Sequence, residues 1–88
     1  MRRLKYDPLR EFLAAADPTT TRMTFEGMDR LVGGLPRSAW LHRAWWANDR
    51  SHVQASAWLD AGRQVRAVDI RAGWVEFGWP SVDNPSAG

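Results

Sequence analysis

Apolar positions near the start of the chain repeat with the spacing of one helix face. Tyr6, Leu9, Phe12 and Leu13 form this set, and Ala14, Ala15 and Ala16 extend it. Asp7-Pro8 predicts the start of that helix, with Asp7 as N-cap, and Asp17-Pro18 predicts its end. Thr19 to Met23 is rich in β-branched residues and predicts a short strand or an extended linker. Thr24 is the expected N-cap of a second helix that carries Phe25, Met28, Leu31 and Val32 and stops at Gly33-Gly34. Gly27 weakens it by about 1 kcal/mol. Leu35 to Ser38 reads as a turn, Ala39 to Trp46 as a short third helix or an irregular aromatic segment, and Ala47 to Arg50 as a polar loop.

Ser51 and Gln54 have the spacing of a capping box, which predicts a helix running to Ala61 with Gly62 as its C-cap. Ala55, Trp58 and Leu59 share the expected core face, and Gln54, Ala57 and Asp60 lie away from it. After Gly62 the period changes to two. Val68 and Ile70 share one face, as do Val75, Phe77 and Trp79. Arg71-Ala72-Gly73 is the expected hairpin loop, with Gly73 left-handed.

These elements predict the α+β class: a small winged-helix-like domain of three to four short helices followed by a C-terminal β-hairpin. Residues 1–79 are expected to form the single domain and residues 80–88 a flexible tail. In a winged helix-turn-helix the capped helix enters the major groove and the hairpin is the wing.

Composition narrows the chemistry. With 88 residues the chain supports one core, and with no cysteine it has neither disulfides nor thiolate metal sites. No apolar run approaches the roughly 20 residues of a membrane span. The basic start, Arg2, Arg3 and Lys5, is not followed by an apolar signal core, so a cytoplasmic protein is expected. Six tryptophans are available to anchor a core or an interface. Net charge is +2, but residues 37–71 hold six arginines against three aspartates, between acidic flanks.

Within Arg37 to Gln54, basic and aromatic residues interleave, as they do where Arg neutralises phosphate and rings stack on bases. Arg37, Arg43, Arg50 and Arg71 are the expected phosphate contacts. Asn48, His52 and Gln54 are expected near the bases, and Trp46 packs or stacks. The expected partner is nucleic acid, duplex DNA above all. The rival from another class is an interaction or homodimerisation module built on exposed Trp40 and Trp74. No enzyme activity, cofactor, metal or small-molecule substrate is expected. His42, Asn48 and His52 lack the hairpin-before-helix context of an H-N-H nuclease, and Asp60, Asp69 and Glu76 read as solvated charges pairing with Arg63 or Arg71.

Tyr6-Asp7-Pro8-Leu9, Thr24-Phe25-Glu26, Leu35-Pro36-x-Ser38-Ala39, Trp45-Trp46-x-Asn48, Ala57-Trp58-Leu59-x-Ala61-Gly62 and Val68-Asp69 together resemble a bacterial domain of unknown function over roughly residues 5–79. The resemblance implies a domain that stands alone or is joined to nuclease-type domains, and so a role connected with nucleic acid. Its pattern often has Trp after the Ala-Gly pair, where this chain has Arg63. It supplies no catalytic residue.

Overall fold

A computed structural model describes residues 4–16 and 21–79. The predicted stop at Asp17-Pro18, the basic residues Arg2 and Arg3, and the tail 80–88 lie outside the described residues.

Helix α1 spans Asp7–Ala15, with Tyr6 at the cap position and Asp7 as its first residue. The Asp7 carboxylate accepts the Leu4 N–H at 2.9 Å and pairs with Arg10 at 3.4 Å. Tyr6, Leu9 and Leu13 face the core, whereas Phe12 is exposed, because the buried stripe is narrower than the apolar run. Strand β1, Thr21–Thr24, leads into helix α2, Phe25–Val32. Thr24 caps α2 as its sequence predicts, its hydroxyl accepting the Gly27 N–H at 3.0 Å, and Gly33 ends it at φ 77°.

The third element is split. Helix α3, Arg37–Leu41, stops where His42 becomes extended, and a 3-10 helix follows over Arg43–Trp46. The Trp46 indole N–H donates to the Ala39 carbonyl at 2.9 Å and ties the two pieces together.

Helix α4 spans Val53–Asp60, so the capping box does not form. Asp49 captures both donors of Ser51, the hydroxyl at 2.7 Å and the amide at 3.0 Å, and the helix begins two residues past Ser51. The face assignment also changes. Gln54 and Ala57 are buried along with Ala55 and Trp58, while Leu59 is half-buried. The cause is that α4 packs against α1 while its Trp58 meets Phe77 on another side, so it has no clean polar stripe.

Strands β2, Gln64–Asp69, and β3, Trp74–Gly78, form the hairpin. Ile70 joins Arg71, Ala72 and Gly73 in the loop, because Asp69 and Trp74 are the last paired residues. The loop is closed by the Gly73 amide on the Asp69 carbonyl at 2.8 Å, and Gly73 is left-handed at φ 79°, as expected. β1 adds to the hairpin from the far side, giving an antiparallel sheet in the order β1-β3-β2 with Thr21 opposite Phe77 and Thr24 opposite Trp74. Among the described residues the protein is thus a small α+β domain of four α-helices, one 3-10 helix and a three-stranded sheet. No helix among them is long and apolar enough to cross a membrane.

The core is aromatic. Phe25 and Trp46 stack at 4.9 Å, and Trp46 and Trp58 stack at 6.0 Å. Phe77 closes the row at 5.6 Å from Trp58, and Trp40 meets Phe25 edge-on at 5.7 Å. The position where the family resemblance expects Trp is filled by Arg63, which is fully buried. Its guanidinium donates to Thr21 Oγ1 at 3.1 Å and lies 4.3 Å from the Trp79 ring centre. A buried charge persists only with such partners.

Candidate nucleic-acid interface

The segment between α2 and α4 folds into an exposed arc. Arg37 opens α3, Arg43 opens the 3-10 helix, and Arg50 lies in the loop before α4; all three are exposed. Arg37 and Arg43 have no ion pair among the described residues, whereas Arg50 pairs with Asp60 between largely exposed side chains. Exposed pairs of that kind contribute little and yield readily to a competing anion.

Between α3 and the start of α4 lies an open groove of about 610 Å³, bordered by Ser38, His42, Trp45, Ser51, His52 and Gln54. His42 and Ser38 reach the same side because they are four residues apart at a helix end, where the His42 N–H donates to the Ser38 carbonyl at 2.9 Å. The second stretch is brought in by Gln54, whose Nε2 donates to the Trp45 carbonyl at 3.1 Å. Beside the groove, the Ser51 hydroxyl and then the Ser51 amide donate to Asp49 and hold its carboxyl below the ordinary range.

The expected site residues separate into two groups. Arg37, Arg43, Arg50 and His52 are exposed on the arc or groove. Trp46, Asn48 and Gln54 serve the fold. Trp46 is buried inside the aromatic stack. Asn48 spends its amide on Val65 and Trp58. Gln54 is buried and bonded to Trp45. Arg71 is exposed on the hairpin loop and does not border the groove. Helix α4 itself has one charged residue, Asp60, and no cation.

Two residues outside the expected set belong to this region. His42 shares the groove with His52. Arg66 flanks a second groove, of about 380 Å³, together with Arg43. Arg66 reaches it because it is the extra residue of a bulge between Val65 and Ala67. The sequence signal for this is the spacing of Val65 and Val68, three apart, where an unbroken strand would repeat every two.

The carboxylates have local partners other than those expected. Asp60 pairs with Arg50, and Glu76 pairs with Arg22 at 3.0 Å. Asp69 accepts the Ala72 amide at 2.9 Å. No group of three or more His, Asp or Glu positioned for a metal ion occurs among the described residues. A larger hollow of about 670 Å³ lies between the start of α1 and α4, but its ionic groups are engaged: Asp7 with Arg10, Asp60 with Arg50, and Lys5 with the Val32 carbonyl at 3.4 Å.

Trp40 and Trp74 are half-buried, Trp40 against Phe25 and Trp74 beneath the Arg22 guanidinium at 3.9 Å. No curated protein and no solved structure matches the chain. A family profile does match, over residues 6–80, and the chain therefore belongs to the domain of unknown function DUF7662.

Proposed function

We propose that this domain is a non-enzymatic nucleic-acid-binding module that uses the arc formed by α3, the 3-10 helix and the loop before α4. One observation carries the reading: the exposed residues Arg37, Arg43 and Arg50 are each the chain neighbour of a residue lining one groove, which His42 and His52 also line. Phosphate oxygens are the natural ligands of exposed arginines. The order of elements, with a helix before a terminal antiparallel hairpin, supports a winged-helix-like comparison. The details move the contact away from the usual place in that comparison. Helix α4 offers no cation to a major groove, so the backbone-contacting surface precedes it.

The test is a titration of a labelled duplex and of a labelled single strand at several salt concentrations. If the three arginines neutralise three phosphates, log affinity falls with log salt at a slope of roughly −3 on the duplex and −2 on the single strand. Arg43→Ala flattens the slope by about one unit or less and weakens all sequences alike. Absence of binding to both forms at about 50 mM salt overturns the reading.

A further inference from the structure

We infer that the groove between α3 and the start of α4 seats one unstacked nucleobase of a single strand, with the neighbouring phosphates held on its rim. This rests on the nucleic-acid reading above and names which part of the ligand enters the site.

The groove walls supply rings. Trp45 is half-buried and held in place by edge contacts, 6.1 Å to Tyr6 and 4.6 Å to Trp46. The imidazoles of His42 and His52 stand exposed at the same groove, and neither side chain has a hydrogen-bond partner among the described residues. Rings fixed from behind and open in front are what an unstacked base packs against.

The groove also supplies edge-reading groups. The Ser38 hydroxyl has no hydrogen-bond partner among the described residues. Gln54 is buried and oriented by its Nε2 bond to Trp45, which leaves Oε1 as an acceptor. A base edge presents donors and acceptors to such a mixture.

The donors of the lining disfavour the opposite arrangement. A phosphate inside the groove would find the Ser51 hydroxyl already donated to the Asp49 carboxylate and the Gln54 Nε2 already donated to the Trp45 carbonyl. The cations sit one residue outside the lining: Arg37 precedes Ser38, Arg43 follows His42, and Arg50 precedes Ser51. Consecutive Cα atoms are about 3.8 Å apart, so the backbone of an arginine adjoins the lining at three places; the Arg43 side chain borders the second groove and the Arg50 guanidinium rests on Asp60. Base inside and phosphates outside satisfies both sets.

The experiment compares a short dye-labelled single strand with a strand of equal length in which every base is removed and the sugar-phosphate backbone kept. Fluorescence anisotropy with the full chain measures both affinities. The intact strand is expected to bind about tenfold more tightly than the abasic one, and more tightly than its own duplex. The double variant His42→Ala, His52→Ala brings the intact strand toward the abasic affinity. A thermal melt checks that this variant is folded, and the Trp45 indole N–H resonance gives a second readout by shifting with the intact strand only. Equal affinity for intact and abasic strands, or a preference for duplex, overturns the base seat while salt-dependent binding keeps the nucleic-acid reading. No binding to any of these strands overturns both.

Discussion

Trp58 Nε1 donates to Asn48 Oδ1 at 2.9 Å, and the same oxygen accepts the Val65 amide at 2.8 Å. Asn48 Nδ2 completes the clasp by donating to the Val65 carbonyl at 3.0 Å. One loop side chain thus joins the central core ring to the first half of β2.

Asn48→Ala is therefore expected to cost roughly 1–3 kcal/mol of stability, because it strands the indole N–H and both Val65 backbone groups. Urea unfolding measures this. An unchanged midpoint, paired with an altered preference among nucleic-acid sequences, would return Asn48 to a base-reading role.

Trp46 lies between Phe25 and Trp58 and also bonds Ala39. Trp46→Ala is expected to cost about 3–5 kcal/mol, a large part of the ~5–15 kcal/mol that holds a domain together. Trp58→Ala is expected to cost a similar amount. A cooperative melt near the native temperature for either variant would contradict the stack as the centre of the core.

Gly62 and Gly33 both have left-handed backbones, at φ 80° and 77°. A Cβ at Gly62 would stand 3.1 Å from the Trp79 ring, whereas one at Gly33 meets nothing within 4 Å. Each change to Ala incurs the backbone penalty of about 1–2 kcal/mol. Gly62→Ala is expected to lower the melting temperature further than Gly33→Ala, and the excess should vanish in a Trp79→Ala background.

The Asp49 carboxyl is held below its ordinary value of 3.8 by the Ser51 hydroxyl and amide. A depressed folded value stabilises the loop above the unfolded value, and this contribution is lost as pH falls through the folded value. Ser51→Ala is expected to move the Asp49 titration upward toward the ordinary value, as followed by carboxyl NMR shifts during acid titration. No movement would show that the hydroxyl does not hold the charge.

What the sequence reveals here is local. The Thr24 cap, the stop at Gly33 and the left-handed Gly73 depend on residues a few positions apart, and each occurs as the pattern predicts. The pairing of Thr21 with Phe77 joins distant segments, and a four-residue strand in which only Thr21 and Thr24 are β-branched does not announce its partner. The same limit governs the site. Gln54 and Asn48 are polar and read as outward-facing, yet they are claimed by Trp45 and by Trp58 with Val65. Arg63 carries a charge that suggests the surface, but Thr21 and the Trp79 ring accommodate its guanidinium inside. The exposed arginines of the arc were legible because nothing folds over them.

The bulge at Arg66 acts as a phase slip in β2. Strict alternation assigns every residue to the inside or the outside, so each change of residue type must suit one of the two. Arg66 belongs to neither series: Val65 stays opposite Phe77 and Ala67 opposite Glu76, with the extra residue between them. Its stem instead lies across Gly78, where a Cβ would meet Arg66 Cγ at 2.7 Å. Shortening the strand by this one residue would force one half to rotate, pulling either Val65 from Asn48 or Val68 from the core. Replacing Arg66 with a smaller residue keeps the count, and hence both halves, in place.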